Sequence, residues 1–290
     1  MDRHNETQRL RLVLGISSVY FFAELIAGFL TNSLALLSDA GHMLSDIAAM
    51  ALSLFAFHIA KRPATDNSTY GYHRAEILAA LFNGLALWLI VGVIFAAAFN
   101  RLLAPPEVAS RGMIVVAVIG LVVNIAAGFI LYDPHRHNLN LRGAFLHVVS
   151  DGVGSVGAIA AGLIMLLTGW YLADPLISIF IGLLILYSSW NLITESLSIL
   201  MQSVPRGIRL DEVRDTIESV DGVAKVHDLH VWAVTSGVYT LSAHAVVENG
   251  GDFHEVLDGI EGTLRRRFNI EHTTIQLEVE NREETEFKGF

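Results

Sequence analysis

The sequence predicts an α-helical membrane protein, a six-helix transmembrane bundle followed by a small cytoplasmic α+β domain. Three observations predict it. First, the 290 residues are 53% hydrophobic and only 17% charged. Their mean hydropathy is +0.50. A chain this apolar belongs in a bilayer when its apolar residues come in runs of about 18 or more. Second, such runs occur six times in series, over roughly 10–30, 34–59, 77–99, 113–131, 144–167 and 175–200. Third, charge is concentrated at one end. Residues 1–204 carry 10 Lys/Arg against 12 Asp/Glu (net −2), and residues 205–290 carry 9 against 17 (net −8). The composition switches at Val204-Pro205-Arg206-Gly207, a helix-ending signal. It divides the chain into a transmembrane domain, 1–204, and a C-terminal domain, 205–290.

Each run is close to the ~20 residues a helix needs to cross about 30 Å of hydrocarbon. The first exceeds the ~7–15 residues of a signal-peptide core and carries Glu24, so it reads as a span. Orientation follows from Lys and Arg in the short loops. Arg3, Arg9, Arg11, Lys61, Arg62, Arg74, Arg136, Arg142, Arg206 and Arg209 fall on one side, and Arg101 and Arg111 on the other. Both termini are therefore expected in the cytoplasm, and a bacterial inner membrane is the simplest home. In the C-terminal domain, 210–220 has helical spacing and opens on Asp211-Glu212. The β-rich stretches 223–234 and 238–247 join through Thr235-Ser236-Gly237, a hairpin signal. An amphipathic helix over 253–268 ends in Arg265-Arg266-Arg267, which suits its dipole. Residues 273–279 alternate polar and apolar, as a half-buried strand does. The order α-β-β-α-β fits a small split βαβ-like domain.

Composition also excludes. A net charge of −10 argues against nucleic-acid binding. The absence of Cys removes disulfides, thiolate metal sites and cysteine nucleophiles. Any metal must be held by His, Asp, Glu or water.

Ionisable side chains inside a span are costly, and by default they mark an ion path or site. The second span contains His42 and Asp46, and the fifth contains His147 and Asp151. Both are His-x-x-x-Asp, whose two side chains share one helix face. One mid-span His or Asp is as well explained by a hydrogen bond to a neighbouring helix. Two copies of one spacing in two spans favour a metal or proton site, in which the pairs converge as a four-ligand set. Two imidazoles and two carboxylates suit tetrahedral Zn²⁺. Mg²⁺ and Ca²⁺ demand more oxygen, and Cu(I) demands sulfur; Co²⁺, Ni²⁺ and Cd²⁺ remain open. Asp39, Glu24, Asn83 and Asn124 are weaker candidates, read as packing or supporting groups. The small residues Gly152, Gly154, Gly157, Ala158, Ala161 and Gly162 of the fifth span read as packing.

Taken in order, four stretches resemble the cation diffusion facilitator family of divalent-metal/proton antiporters. They are Leu37-Ser38-Asp39-Ala40-Gly41-His42-Met43-Leu44-Ser45-Asp46, Tyr70-Gly71-Tyr72-His73-Arg74-Ala75-Glu76, His147-x-x-x-Asp151, and Val226-His227-Asp228-Leu229-His230-Val231-Trp232. The resemblance covers nearly the whole chain. It implies six spans, cytoplasmic termini, a homodimer, a metallochaperone-like C-terminal domain, and a transport site at His42, Asp46, His147 and Asp151 of the zinc-preferring type. It also implies a second metal site in the C-terminal domain at His227, His244 and Glu278. The chain has Gln276 where some members have a ligating His, with His254 and His272 as substitutes. It has Tyr72 where some members have a loop ligand, so a loop site near Asp66 and His73 is not carried over. The loop 133–138, with His135 and His137, is short where many zinc members have a long His-rich one.

The implied mechanism is Zn²⁺ export by alternating access. Protons compete for the same four ligands, because metal binding needs neutral imidazole and ionised carboxylate. An embedded metalloprotease would need an open metal position and a general base, and no His-Glu-x-x-His occurs. A membrane metal sensor that does not transport, and a carrier of Co²⁺, Cd²⁺, Mn²⁺ or Fe²⁺, are the rival readings.

Overall fold

Buried in hydrocarbon, a backbone must satisfy its own hydrogen bonds, which for apolar runs of this length means helices. A computed structural model describes residues 3–60, 62–132, 139–248 and 252–279. The side chains of 3–11, 14, 53, 54, 57, 131, 132, 139–144, 146 and 147 fall outside the description. Six long helices come first: α1 (Arg3–Thr31), α2 (Leu34–Ala60), α3 (Arg74–Leu103), α4 (Ser110–Tyr132), α5 (Leu139–Thr168) and α6 (Ala173–Leu200). Four stretches, Arg74–Leu103, Ser110–Ile130, Val148–Thr168 and Ala173–Leu200, are long and apolar enough to cross a bilayer by length and composition. The apolar part of α1, Gly15–Thr31, is shorter, and α2 interrupts its apolar length with Asp39, His42 and Asp46. The α1–α2 turn is sharp. Asn32 takes a left-handed conformation (φ 55°), and the Ser33 hydroxyl accepts from Leu36 N–H at 3.3 Å as the cap of α2.

The chain forms two compact units. One comprises Met1–Leu52 and Phe82–Asn191, the other Ser53–Leu81 and Leu192–Phe290. In the first, Ala35, Leu36, Met113, Ala117, Ala158 and Met165 form a buried cluster joining α2, α4 and α5. Small residues make this approach possible: a Cβ on Gly162 of α5 would lie 2.6 Å from the Ile114 side chain of α4.

The second unit holds α7 (Leu210–Glu218), β1 (Val223–Thr235), β2 (Val238–Val247), α8 (Phe253–Phe268) and β3 (Ile270–Val279). The sheet order is β1-β2-β3. β1 and β2 are antiparallel, with Thr235 opposite Val238 across a two-residue Ser236-Gly237 turn. Gly237 has φ 78°, a left-handed conformation that glycine adopts without steric cost. β3 runs parallel to β2, which needs a crossover, and α8 supplies it. One sheet face (Val226, Val231, Leu241, Ala243, Ala245) packs on Val213 and Ile217 of α7 and Val256, Ile260 and Leu264 of α8. α8 is capped before its first turn by Asp252, whose carboxylate accepts from His254 N–H at 2.8 Å, and after its last by left-handed Asn269. β1 carries a bulge. His227 pairs with His244 and His230 with Ser242, so Asp228 and Leu229 oppose Ala243 alone. Asp228 takes φ 47° there.

Candidate functional site

Two groups of donors come together, one in each unit. In the first, α2 and α5 face each other. His42 Nε2 lies 3.7 Å from Asp46 Oδ2, one turn along its own helix, and 3.6 Å from Asp151 Oδ1 across to α5. Ligand atoms around a tetrahedral metal with bonds of about 2.1 Å sit roughly 3.4 Å apart. Each of these two separations from His42 is close to the spacing a four-coordinate cation imposes, whereas the one group of three donors mutually within 4.8 Å among the described residues is that of the second unit. His147 lies on α5 one turn before Asp151, but its side chain falls outside the described residues. The other polar residues of the spans are buried or hydrogen-bonded to neighbouring helices or along their own. Asp39 is buried one turn before His42. It packs against Gly154 of α5, where a Cβ would meet Asp39 Oδ1 at 3.4 Å, an ordinary contact distance. Glu24 is buried on α1 and accepts from the Tyr20 hydroxyl at 3.1 Å. The Ser45 hydroxyl donates to Asn83 Oδ1 at 3.2 Å, and Asn124 Nδ2 donates to Ser155 Oγ at 3.4 Å.

In the second unit His227, His244 and Glu278 each offer a donor atom within 4.8 Å of the others. Register explains it. His227 on β1 and His244 on β2 are direct cross-strand partners, and Glu278 on β3 stands two places beyond the partner of His244. Glu278 Oε2 is 3.1 Å from His227 Nε2, and Oε1 is 3.2 Å from His244 Nδ1. The two rings meet edge-on at 5.1 Å. Burial works to raise the pKa of the Glu278 carboxyl. The hydrogen bonds from His227 and Gln276 and the neighbouring imidazole of His244 outweigh it and hold the pKa below the ordinary carboxylate range. The group therefore stays ionised, as a cation ligand must. Gln276 is a helper, donating to Glu278 Oε1 at 2.6 Å.

The substitutes fall elsewhere. His254 lies in the first turn of α8, and His272 packs edge-on against Tyr70 at 5.9 Å. Asp66 and His73 form no ligand group among the described residues. His73 instead lines a cavity of about 600 Å³ with Glu76 and His272. The residues 133–138, with His135 and His137, lie outside the described residues. One residue was missed: Asp228, whose carboxylate is 3.0 Å from His230 Nε2 and 3.8 Å from His244 Nε2. It lay inside a quoted motif, but only the bulge turns it toward the cluster.

Comparison with known proteins bears on both units. Residues 10–201 match the cation efflux transmembrane domain, and residues 205–280 match the cytoplasmic domain of cation efflux proteins. The chain belongs to the cation efflux family. This cation efflux protein is 46% identical over 286 residues to the cadmium, cobalt and zinc/H⁺-K⁺ antiporter of Bacillus subtilis, covering 96% of this chain and 91% of that one. It is 43% identical to the metal cation efflux system protein CzcD of Cupriavidus metallidurans, covering 93% and 86%. It is 40% identical to the zinc transporter ZitB of Escherichia coli, covering 97% and 90%. It is thus a multi-pass integral membrane protein of cation efflux and not an enzyme.

Proposed function

We propose that this protein exports Zn²⁺ from the cytoplasm in exchange for protons, holding the ion between α2 and α5 on His42, Asp46, His147 and Asp151. The observation that carries the reading is the 3.6 Å approach of His42 to Asp151 across two helices. It unites two His-x-x-x-Asp elements 105 positions apart in the sequence (147 less 42). Proton coupling follows from the donor set. Each imidazole must be neutral and each carboxylate ionised to hold the metal, so acid on the far side displaces the ion there. Alternating access to one site then converts a proton gradient into metal export. The relatives named for zinc and for antiport support this reading. Cadmium and cobalt also stand in a relative's name, and the donor set accepts both.

In this reading both termini are cytoplasmic, residues 1–204 form the transmembrane domain, and residues 205–290 form a cytoplasmic domain through which two copies associate. His227, His244 and Glu278 hold a regulatory Zn²⁺. Its binding shifts the transport equilibrium to the extent that it differs between the inward and outward states.

The test is Zn²⁺ flux into sealed proteoliposomes with an imposed pH gradient, comparing the intact protein with Asp151→Ala. Flux that follows the gradient and vanishes in the variant is expected. Flux that survives the variant removes Asp151 from the site. Tight binding without flux makes the protein a sensor.

A further inference from the structure

The end of the bundle where α1 turns into α2 holds a second buried charge. Asp174, in the first turn of α6, has no exposed surface. Its carboxylate accepts four hydrogen bonds: from Ser33 Oγ at 2.7 Å, Leu34 N–H at 2.8 Å, Ala35 N–H at 3.1 Å and Arg101 Nη1 at 3.1 Å. Arg101, in the last turn of α3, also donates to the Asn32 carbonyl at 2.7 Å and to Asn32 Oδ1 at 2.9 Å. The first N–H groups of a helix have no partner within it. Those of α2 are taken here by a carboxylate from another helix, with the favourable charge for a helix start. Three helix ends close on one carboxylate.

Two consequences follow. A buried carboxylate parted from such partners becomes an uncompensated charge, so this contact does not suit a gate that opens in every cycle. And because the adjacent N–H groups of Leu34 and Ala35 bond the same carboxylate, α2 is fixed in rotation as well as in depth. A slip of one residue turns a helix by about 100°, which would carry His42 and Asp46 away from α5. His42 lies about 12 Å along the helix from Leu34, and Asp46 about 18 Å. The burial of α2 agrees. Ser33, Leu34, Ala35, Leu36, Ser38 and Ala40 are buried, whereas His42 and Asp46 are partly open.

We propose that Asp174 is a positioning residue for transport. With Ser33 and Arg101 it pins the first turn of α2 throughout the cycle, and α2 moves about that point to bring His42 and Asp46 to Asp151 and away from it. The proposal rests on α2 carrying the transported ion.

The chain has no cysteine, so a Ser33→Cys/Asp174→Cys variant has only these two thiols. Zn²⁺ flux in proteoliposomes is measured with the thiols reduced and again after bridging by a short, reducible bis-thiosulfonate. An unpinned α2 must be aligned at every binding event, so the reduced form is expected to raise the zinc KM about tenfold. A mere loss of folded protein lowers maximal flux and leaves KM alone. Bridging is expected to return KM to within about threefold of the intact protein, and reductant to undo the recovery. Asp174→Asn, which keeps an acceptor oxygen and loses the charge, is expected to fall between. A reduced form with unchanged KM overturns the pin. So does a bridged form that is silent while the reduced form transports, because the contact then has to open. Intact protein that moves no Zn²⁺, Cd²⁺ or Co²⁺ alongside overturns the transport reading and the pin with it.

Discussion

His42 faces two carboxylates at once, Asp46 on its own helix and Asp151 on α5, so in the proposed reading its chemistry sets the softness of the donor set. Replacing it with Asp leaves one imidazole against three carboxylates. His42→Asp is expected to shift selectivity toward harder, oxygen-seeking ions, raising Mn²⁺ flux relative to Zn²⁺ at least several-fold in a competition assay. An unchanged metal profile would remove His42 from the ligands. In the same reading Glu278 plays the matching part in the sheet. Its charge is the only formal one among His227, His244 and Glu278 when both imidazoles are neutral. Glu278→Gln in an Asp151→Ala background is expected to weaken calorimetric Zn²⁺ binding at least tenfold; equal binding would place the ion elsewhere. At this scale the chain's residue pattern was sufficient for candidates but not for contacts. The His-x-x-x-Asp spacing is a local property of one helix and can be read from one segment. The role of Asp228 depends on a bulge, which exists only when two strands pair out of step.

Among the elements, the helices and the hairpin were legible because their signals are local. Apolar runs of span length, Thr235-Ser236-Gly237 between β-rich stretches, and Arg265-Arg266-Arg267 closing an amphipathic run each act within a few residues. β3 was expected from 273 and begins at Ile270. Its first residues are recruited by pairing with Tyr239 and Thr240 of β2, which no local signal reports. α8 links β2 to β3 and buries Ile260 completely. Ile260→Ala should therefore cost about 2–5 kcal/mol, the usual range for emptying such a position. Hydrogen exchange of the β2 and β3 amides in the intact protein checks it: protection should fall there while that of α4 and α5 is kept. Uniform protection would mean that α8 does not hold the sheet.

For the whole molecule, ion movement and proton movement share one set of ligands in the proposed reading. The sign of the pH effect is therefore determined. Protonated imidazole or carboxylate cannot hold metal, so lowering the pH on the release side should speed zinc release, and lowering it on the loading side should slow zinc capture. Flux in everted vesicles should rise with an acid interior and collapse when a protonophore removes the gradient. Flux indifferent to the gradient would separate metal export from protons.

The sequence by itself determined the class of protein, the number and order of helices and strands, the family, and which titratable residues stand inside apolar runs. All of these are carried by composition, by run length or by spacing within one element, where the periods of helix and strand act directly. Tertiary structure decided what those residues meet. It brought His42 within reach of Asp151, lined up His227, His244 and Glu278 through strand register, and closed α2, α3 and α6 on Asp174. Contacts between segments far apart in the chain depend on helix packing and strand register, and a sequence read one segment at a time contains neither.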